Sequence, residues 1–400
     1  MTKTGKFTFM TGVALLALSA SQAYAQDVAT NAELQARIEA LESEVQDSQM
    51  HAAQAAAAAP APAPTGWWNN TNVTGRMYYN ISSIENSSNG AKVNGSGFNF
   101  DIKRFYVGVD HTFNDIFSAN VTTDVTYDSG SSASQIFIKK AYLQAKIAPE
   151  LTIRLGAADL PWIPYVESIY GYRYLEQTMT DRTKFGTSSD WGVHLLGSFM
   201  DGIISYDLAA INGAGYKKIP IGGGTNHFKN FDLEGRVSAS YDGFNLAVGG
   251  YTGKLGQNYN TPTYHTAERF DVLAAYVANG LRLGVEYFNA NDYSAGLVAS
   301  NTPGDSAHGI SGFGSYAFTP QWAVFGRYDS VDPNKKTAPL RTENYYTLGI
   351  SYSPTKIVDF ALAYKHDAAS HGTISTGNGT IGGSINGNYS EIGLFGNFQW

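Results

Sequence analysis

The chain has 400 residues, a formal net charge of −7 at pH 7, and no cysteine. The missing cysteine excludes disulfides, thiolate nucleophiles and Cys-ligated metal sites. Only 15% of the residues are charged, against roughly 25% in ordinary soluble domains, and outside the N-terminus no run reaches the roughly 18 apolar residues of a spanning helix. A membrane protein without such helices must close a β-barrel. With 26 Tyr, 21 Phe and 43 Gly, the composition also suits a soluble sandwich or propeller. The N-terminal export signal, the uneven loops and the last strand favour the barrel.

Residues 1–25 read as a signal peptide. Lys3 and Lys6 form its basic start, Val13 to Leu18 its apolar middle, and Ala23-Tyr24-Ala25 its A-x-A cleavage site. A periplasmic coiled-coil helix is expected over 26–59, with its regular part at 31–59. There Leu34, Ile38, Leu41 and Val45 follow a 4-3-4 spacing, flanked by Glu33, Arg37, Glu39, Glu42 and Glu44. So narrow an apolar seam has nothing to bury against in its own chain, so pairing between chains is the expectation; a monomeric Ala-rich spacer is the other reading. Residues 60–70 form a linker, since the alternating Ala-Pro stretch up to Pro64 stops a helix and stays extended.

From 71 to 400 the chain alternates apolar and polar residues. Short turns fall at 113–115, 148–150, 200–202, 241–243, 278–280, 318–320 and 353–355. Asp-Gly and Asn-Gly among them accept the positive φ of tight hairpins. Longer connections fall near 85–97, 129–134, 161–188, 213–226, 255–265, 292–307, 332–340 and 368–386. This pattern predicts an all-β fold, a transmembrane antiparallel barrel of about 16 strands with both ends on the short-turn side. The last strand, YSEIGLFGNFQW, puts Ile392, Leu394, Phe398 and Trp400 on one face.

Parity assigns the faces, because successive strand residues point to opposite sides. Phe137, Ala141, Leu143, Ala145 and Ile147 oppose Lys140, Gln144 and Lys146. A Lys or Arg turned to lipid at mid-depth costs about 2–4 kcal/mol, so the charged parity faces enclosed water. The resulting lumen wall carries Arg76, Arg104, Lys140, Lys146, Arg154, Arg236, Arg282 and Arg327, with Asp124, Glu234 and Glu286. Adding Arg269, Lys365, Asp110, Asp207, Asp232, Asp271, Asp329, Asp359 and Glu391 leaves ten bases against ten acids. The default for each charge is pairing with another. The connection 161–188 is the longest and carries Glu167, Arg173, Glu176, Asp181, Arg182 and Lys184 among six aromatics. Long loops of compact folds are usually functional. This one is expected to fold inward and narrow the bore, its opposed charges setting a transverse field; an external lid or a subunit-contact loop is the alternative.

The run Arg154-Leu-Gly-Ala-Ala-Asp-Leu-Pro161, followed by Glu167, Arg173 and Asp190-Trp-Gly192, resembles the third-loop region of the phosphate-selective porin O and P family. Signal, coiled coil, Ala-Pro linker and barrel also resemble outer-membrane porins over nearly the whole chain. The resemblance implies an inward third loop, a homotrimer in an outer membrane of lipid and lipopolysaccharide, and passive diffusion of small hydrophilic solutes and ions. Phosphate-specific members carry a dense arginine ladder and a lysine cluster. With Lys217-Lys218 and Lys335-Lys336 among its adjacent basic pairs and a charge-balanced lumen, this chain reads as a general porin, with an anion- or phosphate-preferring pore as an alternative. The other alternative is a structural tether, whose helix contacts cell-wall or periplasmic partners. No cofactor, nucleic acid or catalysis is expected. Gly377-Asn-Gly-Thr-Ile-Gly382 matches G-x-G-x-x-G, but no helix follows it.

Overall fold

The computed structural model describes residues 31–58, 66–93, 95–128, 133–218, 230–257, 265–299 and 303–400. The expected signal peptide and most of the Ala-Pro linker lie outside them. The chain divides into two units, Met1–Gly66 and Trp67–Trp400. In the first, helix α1 spans Asn31–Ala58 and leaves Ile38, Leu41 and Val45 exposed. The second opens with a 3₁₀ turn at Trp67–Asn70, within the expected linker.

Sixteen strands follow. The first eight are β1 (Thr71–Ser88), β2 (Gly97–Thr112), β3 (Phe117–Asp128), β4 (Ala133–Ala148), β5 (Leu151–Asp159), β6 (Ser189–Phe199), β7 (Ile204–Ile211) and β8 (Asp232–Tyr241). The others are β9 (Phe244–Gly253), β10 (Ala267–Ala278), β11 (Leu281–Asn291), β12 (Ser306–Ala317), β13 (Trp322–Asp332), β14 (Thr342–Thr355), β15 (Val358–Thr376) and β16 (Gly379–Gln399). A two-residue ladder at Ala91–Lys92 decorates the first long connection. Every neighbour is antiparallel and consecutive, and β1 pairs with β16 from Arg76↔Gln399 to Ser88↔Gly387, so the sheet closes. Six of the seven short turns lie where expected; the seventh, expected at 353–355, falls at 356–357, because the strand runs on through Thr355. The last long connection differs too: β15 and β16 continue to Thr376 and from Gly379, so residues 368–386 form a long hairpin, not a loop. Ile374, Ile381, Ala369 and Tyr389 pack together there and hold the extension as a ladder.

The outer wall is apolar. Leu143, Leu155, Leu208, Val237, Leu246, Val324, Leu348, Leu362 and Leu394 all stand exposed on it. Phe113, Phe117, Tyr241, Phe244, Phe318, Trp322 and Trp400 are exposed at or beside the short turns and at the closing strand end, as in the aromatic girdle of membrane barrels. The closing seam is specific. Gly75 and Trp400 exchange both backbone hydrogen bonds, at 3.0 and 3.1 Å. The indole lies over Gly75, only 1.9 Å from where a Cβ would sit. Gly75→Leu should therefore destabilise closure by about 1–3 kcal/mol, the usual cost of overpacking. The check is the temperature at which the folded, fast-migrating band in detergent gels converts to the unfolded one; an unchanged temperature would contradict the fit.

Strict parity fails at several places, two of which re-aim lysines. Tyr78↔Arg104 is followed by Tyr79↔Ile102, leaving Lys103 as an extra residue. Thr122↔Lys140 is followed by Thr123↔Ile138, leaving Lys139 extra. Each is a β-bulge, which re-aims a side chain. Both lysines consequently join their basic neighbours on the inner face: Lys103 lies 3.9 Å from Glu391, and Lys139 reaches Tyr106. The Lys139 bulge also reverses Phe137. Its ring stacks near Tyr216, at 5.8 Å, while Ile136 and Ile138 face outward in its place.

Candidate functional site

The connection between β5 and β6 is pinched at its neck, where Leu160 N–H donates to Ser188 O at 3.0 Å. Immediately after the neck, Trp162 is fully buried. Its backbone N–H donates to Glu234 of β8 and its indole N–H to Glu286 of β11, at 3.2 and 3.1 Å. Helix α2 (Ile163–Tyr170) carries a proline in its first turn and buries Ile163, Val166, Ile169 and Tyr170. These pack with Tyr172, Tyr174 and Leu175 against inward residues of the wall, including Ala247, Leu273, Phe313, Phe325, Ala361 and Phe395. The sequence Ile-Pro-Tyr-Val-Glu-Ser-Ile-Tyr thus makes a short apolar helix, and only an inner wall dotted with Ala and Phe gives it a partner.

The polar ties follow the same side. Arg282 donates to Tyr170 O at 3.0 Å, and the Tyr172 hydroxyl meets Ser351 at 3.1 Å. In α3 (Met179–Arg182), Thr180 donates to Glu286 at 2.8 Å, and just before it Arg327 donates to Gln177 O. Arg182 has no exposed surface and lies 2.6 Å from Glu343, 2.8 Å from Asp367 and 2.9 Å from Asp329. Lys365, equally buried, joins Glu391 at 2.6 Å and Glu176 at 3.4 Å. Burial alone would raise the Glu176 carboxyl, but Lys365 and then Lys103 outweigh it and hold it down at about 2. That tie therefore stays ionic across the physiological pH range.

Between the loop and the wall formed by β1 to β5 a cavity of about 640 Å³ remains. On the loop side it meets Glu167 and Arg173, paired at 2.5 Å, with Asp181 3.5 Å from Arg173. On the wall side Lys140 pairs with Asp159 at 2.8 Å, and nearby Arg104 pairs with Asp124 at 3.2 Å. Among the described residues beside the cavity, Lys139, Lys217 and Arg76 have no carboxylate within salt-bridge distance, and Asp110 has no base, accepting from Asn120 at 2.8 Å. Lys139 lies 4.7 Å above the Tyr106 ring, and Lys217 lies 5.0 Å above Phe137.

The six loop residues singled out in the sequence are thus divided. Glu167, Arg173 and Asp181 form one ion chain beside the cavity. Glu176 and Arg182 point to the opposite wall, and Lys184 donates to Ser375 at 2.7 Å. Of the wall residues, Arg76 bonds Gln399, Arg154 bonds Gln144, and Arg236 donates to Pro161 O. Arg327 pairs with Asp329, Glu234 with Arg269, and Lys146 is solvent-exposed. Parity reading missed Lys103 and Lys139 because a bulge leaves no mark in the alternation. It also passed over Glu343 and Asp367, which lie inward beside strand ends assigned to loops.

No protein-family model matches the chain, and no curated protein does. Solved structures do. The anion-selective porin from Comamonas acidovorans is 11% identical with a TM-score of 0.59, covering 82% of this chain and 99% of that one. The outer membrane channel DcaP of Acinetobacter baumannii is 11% identical, at 0.56 over 82% and 97%. OmpT of Vibrio cholerae is 13% identical, at 0.55 over 82% and 97%. The fold is that of the outer-membrane porins, a closed barrel of 16 antiparallel strands.

Proposed function

We propose that the protein is an outer-membrane porin, a water-filled channel through which small hydrophilic solutes and ions diffuse down their gradients. The observation that carries this reading is the asymmetric filling of the barrel. The 161–188 loop occupies one half of the inner wall and leaves a charged cavity against the other. A wall of this many strands is wide enough for an aqueous bore, and the loop supplies the narrow point. Single-channel recording in planar bilayers tests it. Discrete open steps are expected, and a barrel that seals the bilayer would leave the tether role as the better account.

Within that reading, the pore favours anions. The global balance of charges says nothing either way, but beside the cavity Arg76, Lys139 and Lys217 have no carboxylate partner, against Asp110 and the second acid of the Glu167–Arg173–Asp181 chain, which leaves an excess of one base. Unpaired charges of one sign bias ion selectivity. In a salt gradient the reversal potential should have the anionic sign, and Lys139→Ala with Lys217→Ala should move it toward zero; a potential indifferent to both changes would refute the bias.

The chain entering β1 arrives at the short-turn end, which faces the periplasm in barrels of this type, so α1 belongs there. Its exposed Ile38, Leu41 and Val45 fit pairing with other copies of the helix, in a trimer as in the solved trimer form of Vibrio cholerae OmpT.

A further inference from the structure

The tip of the β15–β16 hairpin has no part in the reading above, yet it reaches the loop. The hairpin is kinked below the tip: Ser370↔Asn386 is followed by Gly372↔Gly383, with His371 at φ 56° and Gly372 at φ 144°. A bulge of this kind bends both strands. Beyond it, Gly377 N–H donates to the Arg182 carbonyl at 2.8 Å, and Ser375 accepts from Lys184 at 2.7 Å. Gln177 Oε1 lies 2.3 Å from where a Cβ on Gly377 would sit, and Thr376 is almost wholly buried. The base of the hairpin is fixed separately, by Asn89, whose side chain accepts from Ile385 N–H at 2.8 Å and whose N–H donates to Asn386 O at 2.8 Å.

We infer that residues 375–377 are a latch on the constriction loop, and that Gly377 and Ser375 are positioning residues for the pore. This rests on the channel reading given above. The side chain of Arg182 holds the loop to the wall from within the barrel. The hairpin tip holds the same turn by its backbone carbonyl and by Lys184, two residues on. A loop released at the tip keeps its wall contacts but gains freedom at 176–184, the turn that carries Asp181 to Arg173. Its motion modulates the cavity, so the expected signature is noise in the open current more than a larger mean.

Gly377→Pro removes the donor to Arg182, and Ser375→Ala with Lys184→Ala removes the second tie. Each should raise open-channel current noise several-fold in planar bilayers while the folded band in detergent gels persists. Noise equal to the parent's in both variants would overturn the latch. A second readout does not need conduction. The chain has no native cysteine, so Gln177→Cys with Gly377→Cys should crosslink on oxidation in membranes and quiet the current until reduced. Absence of the crosslink would also overturn the latch. Absence of current steps in the parent protein, with the crosslink formed, would instead overturn the channel reading and leave the contact standing.

Discussion

Arg182→Ala should release the constriction loop and widen the channel. The guanidinium is the shared partner of Asp329, Glu343 and Asp367, all without exposed surface. Removing it leaves three carboxylates facing one another in a closed space, with Arg327 and Ser311 still bonded to Asp329. Breaking a buried ion pair by deleting one partner costs about 3–5 kcal/mol, and here the cost falls on the state with the loop against the wall. The barrel itself is held by its ladders, so the loop yields first. Single-channel conductance should rise, and larger uncharged solutes should enter in liposome-swelling assays. Unchanged conductance and size cutoff would mean that the loop is held without Arg182.

Trp162→Ala should have a comparable effect by a different route. The indole is fully buried at the mouth of the loop, packs against Gly249, and satisfies Glu286 with its N–H at 3.1 Å. Truncating a buried Trp costs about 3–5 kcal/mol through lost transfer energy and the cavity left behind. Glu286 keeps Thr180 as a donor, so the main loss is packing at the loop's entry. The expected results are a lower gel-conversion temperature and a loop cleaved by protease in intact barrels at 161–175, where the parent resists. A Trp162→Phe variant, which keeps an aromatic ring in much of that space and loses the N–H, should recover much of the resistance; equal losses in both would assign the effect to the hydrogen bond instead.

Some of this was legible in residues alone. Six of the seven tight turns were, most clearly the three with Asp-Gly or Asn-Gly, which carry their own conformational preference. The strand faces were, because a wrong register would place Arg236 or Lys140 in lipid. The long excursion after Asp159 was visible from its length. The last hairpin is not marked in the sequence, since Gly-, Ser- and Thr-rich alternation is weak and only the packing of Ile374 on Ile381 turns it into a ladder. The bulges at Lys103 and Lys139 were invisible, since an extra residue is defined only against the partner strand.

By itself the sequence determined the barrel, its strand number, and which side of most strands meets hydrocarbon. These follow from side-chain period and desolvation cost, both local to a strand. The tertiary structure alone decided which half of the bore the loop takes, which acids Arg182 meets, and which bases beside the cavity are left without a counter-charge. Each depends on segments far apart in the chain, more than a hundred residues for the acids of Arg182, closing to within a few ångströms, and no local pattern encodes that meeting.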